Sequence, residues 1–469
     1  VTAPLLIVNA EVDGISGIDV RIERGRVTAV GPDLPRERAD LLGAKGGALI
    51  PGLTDHHLHL HAMAADAAST RCGPPAVRTA DDLHAALAAA TGDAAGWVRG
   101  VGYSESVAGD LDAVALDRIC ADRPVRIQHR SGAMWMLNSA AVAATGLASG
   151  DHPGVERDGA GIPTGRVWRA DDWLRTRLPT AQPPSLTAIG ARLAGFGITS
   201  VTDATPDLRP ESQQAIVDAT ASGALPQRVH LLGAPLTGPD VTSPRLTVGP
   251  YKIVIADSGL PELSALADTI AAAHAVGRPV AVHCVSREAL LILLVALDDV
   301  GTIPGDRIEH GALVPRETLT RIRALGLRIV TQPGFLCDRG DDYLRDVDPV
   351  DLPDLYRCRS LVDSDIPLAL SSDAPYGPLD PWRVMAAAVD RRARTGAVVG
   401  ARERLTAAEA LNGYLAPATD PGGAPRRVAM GAAADLVLLH GPLADVLTAP
   451  SADAVRRTWT HGDADALGR

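Results

Sequence analysis

The chain has 469 residues, 46% hydrophobic and 22% charged, enough apolar material for one large domain with a small companion. A net charge of −11, with no basic run interleaved with aromatics, argues against a nucleic-acid surface, and the longest apolar run, ALLILLVAL at 289–297, is about half a membrane span. Five widely spaced cysteines with no C-x-x-C pair argue against a disulfide framework, so a cytoplasmic setting is expected.

Residues 4–50 alternate apolar and polar positions with glycine at the turns, the pattern of short strands. Short apolar strands then alternate with Ala- and Leu-rich helical stretches. The candidate strands are 53–60, 125–131, 199–205, 251–257, 279–285, 306–312, 328–334 and 367–374; helices are expected at 262–276, 287–298 and 315–325. Eight strands with helical crossovers predict an α/β fold, a parallel (β/α)8 TIM barrel. A doubly wound open sheet usually carries a Gly-rich fingerprint after its first strand, and none occurs here. Stretches 431–443 and 455–463 again read as strands. The predicted organisation is therefore a small β-sandwich domain formed from both termini, residues 1–52 and 421–469. It flanks a barrel at 53–420 with long inserts at about 61–124 and 135–195.

Five of these strands carry an ionisable residue near the C-terminal end: His57 and His59, Lys252, His283, His310 and Asp373. In a barrel those ends converge on one mouth, where active sites sit. His57 and His59 are two apart, so on a strand both face one side and can share a metal. His56 should face the other way, and His61 should lie past the strand end. Lys252 is one of only two lysines in the chain. Buried in an apolar strand, its amine favours the neutral form, which can take up CO₂ as a carbamate able to bridge two cations. The alternative is an ordinary ion pair with an acid such as Asp257. Asp373 ends an apolar strand in LALSSDAP, where it can ligate a metal and also accept a proton from water. Cys284, beside His283, is expected to face the core.

The segments PGLTDHHLH, YKIVIAD, AVHCV, RIEHG and LSSDAP, followed by LTAAEALNGYLAPA and GAAADLVLL, occur in an order that resembles the amidohydrolase superfamily. WVRGVGY, LNSAAV and GIPTG resemble the branch that includes N-substituted formamide deformylases. The resemblance implies a metal-dependent barrel that cleaves an amide-type C–N bond, whether N-acyl, N-formyl or cyclic amide. It assigns His57, His59 and Asp373 to one divalent ion and His283 and His310 to a second, with carboxylated Lys252 as bridge; Zn²⁺ fits the N/O donors, with Mn²⁺, Fe²⁺ and Co²⁺ left open. The chain departs from that branch at Ala133, where a histidine is expected, and in lacking an Asp-Gly soon after Lys252.

Specificity is expected from the inserts and loops, with His129, Trp135, Trp168, Tyr376 and Trp382 as candidate substrate contacts. The expected partner is a small-molecule substrate, neither nucleic acid nor membrane; a homodimer is allowed but not specified. Two rivals stay open. A mononuclear-metal deaminase would use an acid a few residues after His283, and Glu288 lies five positions on. A non-catalytic scaffold of the same fold would be expected to have lost ligands.

Overall fold

The computed structural model describes residues 3–179, 185–237, 243, 245–256, 259–461 and 463–464. Asp257 lies outside them. The chain divides into two compact units, one comprising Val1–Leu60 with Ser185–Arg469 and the other His61–Pro184.

The first unit is a mixed α/β fold of TIM-barrel type, built on parallel strands. In chain order these are β1 (Leu53–Leu58), β2 (Ile198–Asp203), β3 (Arg228–Leu231), β4 (Tyr251–Val254), β5 (Val280–Cys284), β6 (Arg307–His310), β7 (Arg328–Thr331) and β8 (Leu368–Leu370). One sheet runs from β1 through β2 and β3 to Leu246–Val248, and the other from β4 to β8 in sequence order. Two hydrogen bonds link them at their margins. The Lys252 N–H donates to the Leu232 carbonyl at 3.2 Å, and the Asp373 N–H donates to the His57 carbonyl at 2.8 Å.

The crossover after β5 shows how sequence dictates packing. Ser286 caps helix Arg287–Val300, its hydroxyl accepting from the Ala289 N–H at 3.2 Å. Ala289, Leu290, Leu293, Leu294, Ala296 and Leu297 make one buried face against β5 and the apolar cluster around Ile308 and Ile329. Cys284 sits in that cluster, as its alternation with His283 requires.

Residues 5–51 and 428–460 supply two further sheets: one in which Leu5–Val12, Ile15–Glu23 and Arg26–Gly31 pair antiparallel while Asp40–Gly43 runs parallel to Leu5–Val12, and an antiparallel one including Leu49–Pro51, Leu436–Leu439 and Val455–Thr460. Ile7, Val20, Leu49, Leu436, Leu438 and Trp459 share one buried cluster, so the two chain ends fold around a common core.

The structure corrects the strand assignment at two points. Val125–His129 is not among the parallel strands of the first unit. It belongs to the second unit, in a six-stranded sheet between Val98–Tyr103 and Met134–Leu137. The vacated place is taken by β3, only four residues long, in which Val229 and Leu231 alternate with Arg228 and His230. Four residues are too few for a clear period-two signal. In addition, helix Thr187–Gly195, expected within an insert, packs on β2 of the first unit. The second unit also explains the LNSAAV segment. Asn138 is fully buried, caps helix Ser139–Thr145, accepts from the Val125 N–H at 3.0 Å and donates to the Cys120 and Arg123 carbonyls, both at 2.8 Å.

Truncating a buried position on the β5 crossover helix should be costly and a solvent-facing one nearly free. Leu294→Ala is expected to lose about 2–5 kcal/mol in denaturant unfolding, and Leu291→Ala, 40% exposed on the same helix, less than about 1 kcal/mol.

Candidate active site

The C-terminal ends of β1, β5, β6 and β8 bring the predicted residues together. His57 lies on β1, and His59 just beyond it, held by its N–H donating to the Ala374 carbonyl at 2.9 Å. Ligand atoms of His57, His59 and Asp373 all fall within 4.8 Å of one another, a grouping able to hold a metal ion. Asp373 Oδ1 is 3.2 Å from His59 Nε2 and 3.6 Å from His57 Nε2, and Oδ2 is 3.9 Å from His310 Nδ1. The His310 ring centroid lies 4.7 Å from that of His57 and 4.5 Å from that of His283.

Two of these residues are not placed by strand alternation alone. His310 has φ +70° and Asp373 φ +55°, left-handed values uncommon outside glycine. Glu309 and His310 are neighbours, yet both reach His57's surroundings. The backbone turn at His310 is what reconciles that with the pleat, at a strain of about 1–3 kcal/mol.

Glu309 and Arg307 are the residues sequence reasoning missed. Both are buried on β6 two positions apart, so they share a face. Glu309 Oε2 meets His57 Nδ1, while Glu309 Oε1 accepts from Arg307 Nε at 2.5 Å. The available signal was RIEHG itself, in which two charges at i and i+2 interrupt a strand otherwise expected to be apolar. Gln332, after β7, plays the corresponding part for His310, with Oε1 2.8 Å from His310 Nδ1.

Burial holds the imidazoles of His57 and His310 well below their ordinary pKa, so both are neutral. His57 Nδ1–H therefore donates to Glu309, and His57 Nε2 has no hydrogen-bond partner among the described residues. Lys252 Nζ is likewise buried with no hydrogen-bond partner among the described residues, and desolvation lowers its pKa. A lone pair and an amine orphaned beside a carboxylate are the donor set a divalent cation would satisfy. Asp55 braces the site from beneath. Its Oδ1 accepts from the His57 N–H at 3.1 Å and the Ser372 N–H at 3.2 Å, tying β1 to β8, and burial raises its pKa to about 7.

Other candidates fall elsewhere. His56 is buried with neither ring nitrogen hydrogen-bonded among the described residues, and His61 sits in helix Leu60–Ala67. Asp203, at the end of β2 and not among those candidates, accepts from the Leu60 and Thr205 N–H groups. Glu288 is exposed in the first turn of helix Arg287–Val300, where a carboxylate suits the helix dipole, so it brings no acid to the histidines as the deaminase reading requires. Tyr376 is at the site, its ring centroid 5.6 Å from that of His59. Trp382 presents nothing to a substrate: it is fully buried and its indole N–H donates to the Phe196 carbonyl at 3.1 Å.

Within the second unit, Trp135 is buried with the guanidinium groups of Arg99 and Arg126 at 5.2 and 5.0 Å from its ring centroid, its indole N–H donating to Asp171 at 2.8 Å. Trp168 is 44% exposed and donates to Glu156, and His129 contacts Ser131 and Glu105. Ala133 accepts the Arg169 N–H through its carbonyl at 2.8 Å.

Residues 40–464 match the profile of the amidohydrolase family. The N-substituted formamide deformylase of Arthrobacter pascens is 25% identical, over 98% of this chain and 97% of its own length. The putative amidohydrolase YtcJ of Bacillus subtilis (strain 168) is 24% identical over 80% and 79% respectively. Among solved structures, an uncharacterized metal-dependent hydrolase from Pyrococcus horikoshii OT3 superposes with a TM-score of 0.74 at 19% identity, covering 99% of this chain and 100% of that one. A second, from Pyrococcus furiosus, has a TM-score of 0.69 at 22% identity, over 93% and 99%. With a family match spanning most of its length and an acid–histidine cluster at its strand ends, the chain belongs to the amidohydrolase family and is an enzyme of the metal-dependent amidohydrolase type.

Proposed function

We propose that this enzyme hydrolyses an amide-type C–N bond of a small molecule, an N-acyl, N-formyl or cyclic amide, at a divalent-metal centre. The observation that carries the proposal is the His57–His59–Asp373 grouping beside the orphaned Nε2 of His57 and Nζ of Lys252. The deformylase likeness over nearly the whole chain supports a C–N bond as the target.

In this reading His57, His59 and Asp373 would hold one ion, and His283 and His310 would hold a second, with Lys252 as a further ligand. The imidazole and carboxylate donors favour Zn²⁺. When bound, the metal would supply Lewis acidity and lower the pKa of water. Burial disfavours the ammonium form of Lys252, and its neutral amine combining with CO₂ would give a carbamate and release one proton, which would turn an uncompensated amine into an anion able to ligate a cation. Asp373 accepts a proton from the attacking water and returns it to the leaving nitrogen. Tyr376 borders the substrate side of His59.

The architecture belongs to the same proposal. Residues 53–420, apart from their long inserts, form one closed barrel, supported by the hydrogen bonds at both sheet margins, and residues 1–52 with 421–469 form one β-sandwich, supported by their common core. A cytoplasmic location fits five free cysteines, and no helix among the described residues is long and apolar enough to cross a membrane.

Three outcomes are expected. Lys252→Ala should reduce both bound metal, read by elemental analysis, and turnover in a screen of N-formyl, N-acyl and cyclic amides; unchanged values for both would remove the bridge. Asp373→Asn should lower kcat by about 10²–10⁴-fold. Acid should destabilise the metal-free protein. His56, His57 and His310 are held well below their ordinary 6.5, so the unfolded chain binds protons near that pH which the folded chain refuses. His230, lowered to about 3 by burial, adds to them; Asp55, raised to about 7, has the opposite sign but is one group against four. Denaturant midpoints should therefore fall from about pH 7 to about pH 5.

A further inference from the structure

We propose that Glu309 and Gln332 rank the two cation positions, so that the His57–His59–Asp373 position fills first and the His283–His310 position second. The inference rests on the metal-dependent reading above and concerns what stands behind each ligand.

His57 and His310 are anchored in the same way through different chemistry. His57 Nδ1 meets Glu309 Oε2, and His310 Nδ1 meets Gln332 Oε1 at 2.8 Å. The orientation of the Gln332 amide follows from its other bonds. Its Nε2 donates to Ser371 Oγ at 2.9 Å and to the Val330 carbonyl at 3.5 Å, and Ser371 Oγ in turn donates to the Thr331 carbonyl at 3.3 Å. Oε1 is thus the acceptor and His310 Nδ1 the donor. Both rings are locked in the tautomer that leaves the Nε2 lone pair for a cation.

The partners differ in charge. A carboxylate behind an imidazole raises the basicity of the opposite nitrogen, and a neutral amide does so far less. Arg307 does not cancel this. It engages Oε1 through Nε at 2.5 Å, leaving Oε2 to face His57, so the pair is a dipole with its negative end on the ring. Arg307 also makes burial of the carboxylate tolerable, since both side chains are removed from water. The His57 position has Asp373 Oδ1 at 3.6 Å as well, whereas Asp373 approaches His310 only at 3.9 Å, through Nδ1. Glu309 is on this account a positioning residue that acts through His57.

The test is a titration of metal-stripped protein with Co²⁺, whose visible spectrum reports the ligand set, alongside Zn²⁺ competition against a chelator. Wild-type protein should take up two ions in resolved steps. Glu309→Gln should weaken the first step about 10–100-fold and leave the second unchanged. Gln332→Glu should tighten the second step and narrow the gap. Glu309→Gln leaves Arg307 without its carboxylate, so the double variant Arg307→Met/Glu309→Gln provides a folded control, checked by thermal melting without metal. It should show the same loss in the first step. A folded Glu309 variant with an unchanged first step, or with the loss confined to the second, overturns the ranking. A wild-type chain that takes up no divalent ion overturns the metal-dependent reading, and the ranking with it.

Discussion

A carboxylate without access to water has to be answered on every lone pair, and Glu309 is the point where this protein meets that demand. It lies in the interior of the parallel sheets with Arg307 on one oxygen and His57 on the other. Neither partner is optional. Without Arg307 the charge would be stranded, and without His57 an acceptor would go unused. The contact spans from β6 to β1, strands that are not sheet neighbours, so it fixes their relative height and hence where the histidines of β1 emerge. Stability and chemistry therefore run through the same pair of oxygens.

The strand ends show a second constraint. A pleated strand offers successive side chains to opposite faces, and a site that wants donors from adjacent positions must break that rule somewhere. Here it is broken at His310 and Asp373, both in left-handed backbone and both followed by turns that hold them there. The Gly311 N–H donates back to the Glu309 carbonyl at 3.0 Å, and the Tyr376 N–H to that of Asp373 at 2.9 Å. Asp55 performs the equivalent service from below by clamping β1 to β8. Strain of this sort persists only where surrounding bonds over-determine the conformation.

Much of this was legible in the residues. Histidines, a rare lysine and an aspartate at the ends of apolar runs stand out because such residues have no place in a hydrophobic core unless something satisfies them. The cluster of His57, His59 and Asp373 follows from that reasoning, as do the crossover helices, whose caps and apolar stripes are local properties. What escaped notice was non-local. Strand β3 is too short to show a period, and Val125–His129 has strand character without declaring which sheet it joins. Glu309 was hidden by its neighbour: alternation assigns it to the face opposite His310, and only the φ of His310 undoes that inference. Trp382 was misleading for the reverse reason, since an aromatic shortly after a site residue can turn inward to close a core.

The scarcity of lysine has a practical consequence. Of the two side-chain amines in the chain, Lys252 is enclosed and Lys45 is exposed on the loop before strand Leu49–Pro51. Amine-directed reagents such as succinimidyl esters would meet a single accessible lysine side chain, so apart from the α-amino group a tether or fluorophore would be carried at one defined position without engineering the chain.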